Sequence, residues 1–382
     1  MLTPLNYKPK HKPTALHILG TAYSIPGDNR YPTEPFTNKA LFFSKAFTDL
    51  GFPVYYYGVE GGEENVTCTK YIPVVSQKSF FETYPTPEDT RKDHFSSAVG
   101  KAWEDFEKNS IKEVKKNIVN PQTDMIFSFF GHPHRPVTDA SKLITIEPGI
   151  GHPGSYANFR IFESYAWQNF TYGKEGRDAT DKWPHSYDHV IPPSFYPDLY
   201  EFSDQKEDYL MFMGRVNWGK GISLAVELSN YFNIKLIIAG SGDLKSAIPP
   251  EMSTDHVEYV GVLGAEQKVK YLSKAKAFVC PSQYIEPFGH VVAEASLCGA
   301  PIITTDFGAF SENVIHGETG YRCKVYSDFI NAVDNISNIK PLVCRQSAID
   351  RYSIHNIIPQ YLKYFNDILT LYVDERGWYA VN

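Results

Sequence analysis

The sequence has little cysteine and no long apolar run. Its five cysteines are an odd number without a C-x2-C pair, which argues against a disulfide framework or a clustered zinc site. No apolar stretch approaches the ~20 residues of a membrane-spanning helix, so we expect no transmembrane segment. Residues 1–14 are polar and contain proline, which is not typical of a secretory signal. These features predict a cytoplasmic protein with reduced thiols.

An excess of positive charge is also missing. The formal net charge is −7, whereas binding to nucleic acid requires clustered lysine and arginine. The one basic run, from Lys108 to Lys116, is interleaved with Glu113 and predicts a solvated helix face. We therefore expect neither nucleic acid nor a membrane surface as the partner.

The chain does have enough length for two domains. Its 382 residues are 42% hydrophobic, which allows each domain its own core. The charged connector 203–208 places the boundary near residue 200. We predict an N-terminal domain over 1–200, a C-terminal domain over 201–355 and a final helix over 356–382. The pattern leaves open which domain that helix covers, and packing back on the N-terminal domain is one possibility.

The second half alternates short apolar strands with amphipathic helices. This alternation predicts a parallel sheet covered on both faces, whose ligands bind beyond the carboxyl ends of the strands. The predicted strands are 209–213, 234–239, 257–260, 277–280 and 301–305, and the predicted helices are 222–232, 266–275, 288–297 and 310–315. The first half is predicted to have strands at 15–20, 54–57, 125–130 and 143–146, and helices at 38–50 and, whole or broken, 93–119.

Two cations follow the strand 209–213. The segment from Gly214 to Lys220 satisfies G-x4-G-K, the front of a phosphate-binding P-loop. The next residue is Gly221, where a P-loop needs a hydroxyl to bind magnesium, so a P-loop nucleoside triphosphatase is not favoured. Arg215 and Lys220 remain as two cations on one turn, a pattern that is often ordinary by itself.

Two glutamates flank the start of a later helix. Glu286 lies in a loop containing proline, and Glu294 follows within the helix predicted from Phe288. Their spacing of a little over two helical turns lets both face one site from different depths. The amides of Gly289, His290 and Val291 begin the helix and suit a phosphate. The sequence therefore predicts a site for a nucleotide-sugar.

The chain over roughly residues 188–325 resembles the C-terminal domain of GT-B glycosyltransferases of family 4. The resemblance runs in order through Val190-Ile191-Pro192, Gly214-Arg215…Lys220-Gly221, Ala239-Gly240-Ser241-Gly242, Tyr259-Val260-Gly261, Pro281-Ser282…Glu286-Pro287-Phe288-Gly289…Glu294-Ala295, Gly299-Ala300-Pro301, Gly308-Ala309-Phe310-Ser311-Glu312 and Gly317-Glu318-Thr319-Gly320. It implies an α/β GT-B fold, with two Rossmann-like domains facing across a cleft. It also implies retaining transfer of a hexose from a UDP- or GDP-sugar to a sugar or glycoconjugate acceptor, with no cofactor and no metal.

The resemblance assigns roles to individual residues. Arg215 and Lys220 hold the diphosphate and stabilise the charge of the leaving group, at about 1.5–3 kcal/mol for each charge-assisted contact. Glu286 contacts hydroxyls of the donor sugar, and Glu294 accepts both ribose hydroxyls. The backbone near Val262 meets the base. The other predicted donor-binding residues are Gly214, Gly240, Phe288, Gly289, His290 and Val291.

The N-terminal domain departs from the family pattern. The family often has a histidine at the end of a later strand, where this chain has Glu147, and His152 follows five residues on. Glu147 and His152 are therefore candidate catalytic residues in addition to Arg215, Lys220 and Glu286. Either of the two takes over the contact to the sugar, or both only organise the loop. His132 and His134 invite a metal interpretation, but no carboxylate pair lies near them in the sequence, so a loop beside the acceptor is preferred.

Two further classes remain open at this stage. A GT-B sugar-nucleotide epimerase would share the fold and release epimerised donor without an acceptor. A non-catalytic nucleotide-sugar-binding protein would bind the donor but would neither transfer its sugar nor hydrolyse it slowly.

Overall fold

The structure is a computed structural model that describes residues 9–28, 30, 35–90, 98–175 and 187–374. The chain divides into two compact units. The first unit holds the chain up to Phe162, the segment Lys174–Ile191 and the chain from Ile358 onward, and the second holds Glu163–Gly173 and Pro192–Ile357.

The division falls after Ile191, whereas the sequence places it after residue 200. Backbone hydrogen bonds explain the difference. Phe195 N–H donates to Tyr352 O, and Ile354 N–H donates to Phe195 O, both at 2.8 Å. The segment before residue 200 is therefore tied to the second unit.

The first unit is built on a parallel sheet. Its strands are β1 (Leu16–Leu19), β2 (Val54–Val59), β3 (Lys70–Val75), β4 (Met125–Ser128), β5 (Ile144–Ile150), β6 (Phe159–Phe162) and β7 (His189–Val190). In the described residues the strand order is β3-β2-β1-β4-β5-β6-β7, with every pair parallel. All four residues of β1 are buried, as expected for a central strand covered on both faces.

Helices cover this sheet. They are α1 (Pro35–Asp49), α2 (Gln77–Thr83), α3 (Pro87–Thr90), α4 (Lys101–Asn117) and α5 (Arg135–Ser141). The helix predicted over 93–119 is thus α4, and residues 93–97 of that prediction lie outside the described residues. Aromatic rings of α1 pack against rings of the last helix that the structure describes. The ring centroids of Phe43 and Tyr361 are 5.4 Å apart, as are those of Phe47 and Phe365.

The second unit has the alternation that the sequence predicts. Its strands are β8 (Glu207–Met213), β9 (Lys235–Ala239), β10 (Val257–Gly261), β11 (Ala275–Cys280), β12 (Ile302–Thr305) and β13 (Gly320–Cys323). Its helices are α6 (Tyr165–Glu175), α7 (Ile222–Phe232), α8 (Leu244–Ala247), α9 (Ala265–Lys274), α10 (His290–Leu297), α11 (Phe310–Asn313), α12 (Tyr326–Asp334) and α13 (Pro341–Tyr352). The last helix, α14 (Ile354–Val373), carries Tyr361 and Phe365.

This second sheet has the order β10-β9-β8-β11-β12-β13 within the described chain. Neighbouring residues of β8 supply opposite faces, because Leu210 and Phe212 join one apolar cluster while Tyr209 and Met211 join the other. The predicted two-faced parallel sheet is therefore confirmed. Among the described helices, none has the length and apolar character needed to span a lipid bilayer.

Candidate functional site in the second unit

The turns after β8 and β9 are joined through their backbones. Gly214 N–H donates to Ala239 O at 2.9 Å, and Val216 N–H donates to Ser241 O at 2.8 Å. A Cβ on Gly240 would lie 1.8 Å from Gly214 O, so only glycine permits this approach. The structure therefore places the predicted residues Gly214 and Gly240 against each other, at the carboxyl ends of adjacent strands.

The turn that carries the two predicted cations is held by a side-chain cap. Asn217 Oδ1 accepts the N–H of Lys220 at 3.0 Å, which closes the short helical turn Trp218–Lys220. Gly221 follows in the left-handed region, with φ 73°. A Cβ at Gly221 would lie 2.0 Å from Pro281 O. The position at which a P-loop carries its hydroxyl residue thus accepts only glycine, which weighs against the P-loop interpretation.

Lys220 forms an ion pair with Glu286. Lys220 Nζ lies 2.8 Å from Glu286 Oε2, and Ser282 Oγ donates to the same oxygen at 3.2 Å. The ring of Tyr284 lies 4.9 Å from Nζ. Burial opposes the charged form of Lys220, but the charge of Glu286 outweighs it, and the pKa of Lys220 is raised. Two of the predicted site residues are therefore brought together, with the lysine kept as an ammonium group.

Arg215 is placed differently from Lys220. Its side chain is exposed, and its guanidinium has no hydrogen bond or ion pair within the described part of the chain. The turn therefore has one partly buried cation that is already in an ion pair with a carboxylate, and one exposed cation that is open to an incoming anion.

The Glu286 loop is held by the turn after β12. Gly308 has φ 62°, and its added Cβ would lie 2.9 Å from Glu286 N. Ala309 N–H donates to Glu286 O at 3.1 Å. The backbone of Glu286 is therefore fixed, which orients its carboxylate toward Lys220.

Helix α10 begins at His290, two residues later than predicted. Gly289 adopts the left-handed φ of 81°, which a helix cannot include. The Phe288 side chain is buried among Phe195 and Tyr352, so only its backbone is available to a ligand.

The first amides of α10 remain available. The N–H groups of His290 and Val291 have no carbonyl partner within the helix, because they belong to its first turn. The His290 ring lies with Nε2 at 3.3 Å from Glu163 Oε1. The predicted phosphate-binding amides therefore stand at a helix N-terminus, although the helix starts later than expected.

Glu294 lies on the second turn of α10 and is engaged through one oxygen. Lys268 Nζ lies 2.5 Å from Glu294 Oε1, and the Tyr200 hydroxyl donates to that oxygen at 3.3 Å. Neither partner was predicted from the sequence, since both lie on other elements. A lysine in the exposed N-terminal part of α9 carries no local signal that would pair it with a carboxylate on α10.

The turn after β10 is open. Gly261 has φ 69° with nothing within 4 Å of an added Cβ, and Val262 is 75% exposed. Gly240 N–H donates to Gly261 O at 2.7 Å, which links this turn to the one that contacts Gly214. The backbone predicted to meet the base is therefore accessible and adjoins the other predicted residues.

Residues 201–347 match the family of glycosyl transferases group 1. The matched range, called the group 1 domain below, lies within the second unit, and every predicted donor-binding residue from Gly214 to Glu294 falls inside it.

Curated relatives share part of this domain. The glycogen synthase of Mycobacterium tuberculosis is 32% identical over 123 residues, which is 30% of this chain and 30% of the relative. The N-acetyl-alpha-D-glucosaminyl L-malate synthase of Bacillus anthracis is 25% identical over 235 residues, which is 52% of this chain and 62% of the relative. The chain therefore matches 30% of the length of the first relative and less than two thirds of the second.

Solved structures match both units. AviGT4, a glycosyltransferase involved in avilamycin A biosynthesis, superposes with a TM-score of 0.65 at 18% identity, covering 94% of this chain and 98% of that one. HepE of Anabaena, in complex with UDP and glucose, gives 0.64 at 14% identity and covers 92% of this chain and 98% of that one. At such identities the likeness concerns the fold alone, which is GT-B with two Rossmann-like α/β units.

Glu147 and His152, the other two predicted catalytic residues, belong to the first unit. The strand predicted to end before Glu147 in fact continues through it, because β6 pairs along β5 with Glu147 opposite Arg160. The Glu147 carboxylate is buried, and its Oε2 accepts the N–H groups of Tyr156 and Ala157 at 2.7 and 2.8 Å. Burial raises the pKa of Glu147 to about 7 despite these hydrogen bonds.

These contacts favour the hypothesis that Glu147 organises its loop. His152 is buried as well, with Nδ1 at 3.0 Å from Pro153 O and its ring 5.3 Å from the ring of Phe36. The contact of either residue with a sugar stays a prediction.

The histidines of the metal interpretation have separate aromatic partners. His134 is buried and stacks on Phe106 with ring centroids 5.4 Å apart, while His132 stacks on Tyr156. Burial lowers the pKa of His134 to about 3, so its ring is neutral. Over the described ranges, no group of three histidine, cysteine, aspartate or glutamate residues is placed to hold a metal ion.

Proposed function

We propose that this protein is a retaining family 4 glycosyltransferase that moves a hexose from a nucleotide-diphosphate sugar to a sugar or glycoconjugate acceptor. The observation that carries the proposal is the arrangement around one turn of the group 1 domain. Lys220 is paired with Glu286 at 2.8 Å, Arg215 is exposed on the same turn, and the first amides of α10 follow the Glu286 loop.

The chemistry assigned to these residues is electrostatic. Lys220 and Arg215 would bind the diphosphate and stabilise the negative charge that develops on the leaving nucleotide. The amides of Gly289, His290 and Val291 would add hydrogen bonds to the same phosphates. Because two side-chain cations neutralise this charge, the proposal requires no metal or other cofactor.

The two glutamates would orient the donor. Glu286, held by Lys220 and Ser282, would accept hydroxyls of the hexose, and Glu294 would accept hydroxyls of the ribose. The backbone at Val262 would meet the base. A donor phosphate oxygen would take the proton of the acceptor hydroxyl, and the acceptor would be held by the first unit, where Glu147 or His152 would contact the sugar.

UDP-sugars are the first donors to test. HepE of Anabaena, which shares the fold, has been solved in complex with UDP and glucose. GDP-sugars remain the second candidate because backbone atoms can meet either base. The five cysteines are free thiols, which supports a reducing compartment and thus the proposed cytoplasmic location.

The test is a thermal-shift panel of UDP-, GDP- and ADP-sugars with and without sugar acceptors. A ligand at 100 times its dissociation constant adds about 2.7 kcal/mol of stability, which is a measurable shift. We expect one donor class to stabilise the wild type. The control variant Lys276→Ala should be stabilised equally, because its ion pair with Asp208 lies at the amino-terminal ends of β8 and β11, whereas the candidate site lies at the carboxyl ends.

The products then separate the alternatives. A new glycoside formed only with acceptor supports the proposal, whereas epimerised donor formed without acceptor would assign the protein to the epimerases. The proposal is rejected if no sugar nucleotide shifts the melting temperature.

A further inference from the structure

The two glutamates of the group 1 domain are held in the same way. Glu286 receives a lysine and a hydroxyl at one oxygen, from Lys220 and Ser282. Glu294 receives a lysine and a hydroxyl at one oxygen, from Lys268 and Tyr200. The first lysine belongs to the predicted site, while the second has no role in it so far.

The partners of Glu294 come from two separate elements. Lys268 lies on α9 and reaches Oε1 at 2.5 Å. Tyr200 lies in the segment before β8, and its carbonyl oxygen accepts a hydrogen bond from Arg345 at 2.9 Å, which anchors the backbone that carries the hydroxyl. The carboxylate is thus fixed from two sides of α10.

The second oxygen of Glu294 is left open. Both contacts end on Oε1, and Oε2 has no hydrogen bond or ion pair to the residues that the structure describes. A charge-assisted hydrogen bond restricts the rotation of a carboxylate and keeps it ionised. An ion pair of this kind fixes the direction in which the remaining oxygen points.

We infer that Lys268, together with Tyr200, is a positioning residue that holds Oε1 of Glu294 and leaves Oε2 to accept the ribose hydroxyls of the nucleotide. The inference rests on the proposed function. It refines the role that the resemblance gives Glu294, because one carboxylate oxygen would accept both ribose hydroxyls. Lys268 should therefore affect only nucleotides that carry the two ribose hydroxyls, because its effect reaches the ligand through them.

The test compares two nucleotides by titration calorimetry, UDP and 2′,3′-dideoxy-UDP. We expect Lys268→Met to weaken UDP about tenfold, the size of one charge-assisted hydrogen bond, while the affinity for dideoxy-UDP stays unchanged. Tyr200→Phe should act in the same direction with a smaller loss, and Lys268→Arg should restore most of the UDP affinity.

Controls separate positioning from ordinary stability. Lys276→Met removes an exposed ion pair of the same unit and should leave both affinities unchanged. In a Glu294→Gln background, Lys268→Met should cause no further loss of UDP affinity. If Lys268→Met melts too early to titrate, Tyr200→Phe carries the same comparison.

The outcomes that overturn the inference differ from those that overturn the function. UDP affinity unchanged in Lys268→Met and Tyr200→Phe, or an equal loss for UDP and dideoxy-UDP, removes the positioning role and leaves the glycosyltransferase proposal intact. Wild-type protein that binds none of UDP, GDP and ADP removes the proposed function, and the ribose contact with it.

Discussion

The two units have the same parallel α/β architecture but use the polar residues near their strand ends differently. In the second unit, the side chains of Lys220 and Glu286 are 13% and 12% exposed, and Arg215 is open to solvent. In the first unit, Glu147 and His152 are 1% and 5% exposed and contact the backbone of their own loop. Polar residues near a strand end therefore become candidates for ligand binding only when the fold leaves them partly exposed.

The largest effect is expected from placing a P-loop residue in the second unit. Gly221→Ser places a side chain at φ 73° and 2.0 Å from Pro281 O. We expect a loss of more than about 3 kcal/mol in the free energy of unfolding, because left-handed strain alone costs 1–3 kcal/mol. Urea denaturation measures it.

The matched control for Gly221→Ser lies in the same turn. Gly219 has no positive φ, and an added Cβ would lie 3.5 Å from Asn217 Oδ1, an ordinary contact. Gly219→Ser should therefore be tolerated. Equal stability of the two variants would show that the backbone at Gly221 does not require glycine. Magnesium-dependent hydrolysis of a nucleoside triphosphate by Gly221→Ser would reopen the P-loop interpretation.

In the first unit, the burial of Glu147 should make stability depend on pH. Burial raises the pKa of Glu147 to about 7 in the folded state, above its ordinary value of 4.5. The folded state thus holds the proton more tightly, so Glu147 costs stability progressively as the pH rises from about 4.5 to 7. The cost reaches about 3 kcal/mol above that window. Glu147→Gln should remove this decline.

Urea denaturation at pH 5 and pH 8 checks the Glu147 prediction. Between these pH values the wild type should lose more stability than Glu147→Gln. The control Glu251→Gln, which changes an exposed glutamate, should lose as much stability as the wild type. Parallel losses in all three proteins would mean that Glu147 is not the group responsible.

Much of the second unit could be predicted from its sequence because the periodic pattern there is strong. The predicted helix 222–232 coincides with α7, and the predicted strands occur with ends shifted by a residue or two. The edge strand β13 was missed, since Gly320–Cys323 has buried ends around a partly exposed middle and no continuous apolar run.

The candidate site was predictable only in part, for a different reason. The motifs, together with the family resemblance, gave Arg215, Lys220, Glu286 and Glu294, because each lies near a strand end or within the first two turns of a helix. They could not give the partners Lys268 and Tyr200, which meet Glu294 across separations of 26 and 94 residues. Nor could they reveal that Glu147 lies within a strand, because that depends on the pairing of β5 with β6.

Lys220, the cation that already has an ion-pair partner, can be tested apart from the exposed Arg215. Lys220→Ala removes the proposed diphosphate contact and leaves Glu286 without its ion-pair partner. We expect donor-sugar affinity to fall by about tenfold to a hundredfold, from a contact of about 1.5–3 kcal/mol, and the melting temperature to fall as well. The thermal-shift panel measures both. Unchanged donor affinity would remove Lys220 from the site.

The smallest expected effect belongs to Arg215→Ala, and it completes the contrast with Lys220. The exposed guanidinium has no ion pair to lose among the described residues, so the free energy of unfolding should stay within about 0.5 kcal/mol of the wild type. Donor affinity should still fall about tenfold, because an open cation contributes only when the diphosphate is bound. Titration with the donor nucleotide beside urea denaturation checks both parts. A loss of stability without a loss of affinity would place Arg215 among the structural residues, as the burial of Glu147 and its hydrogen bonds to the loop suggest for that residue.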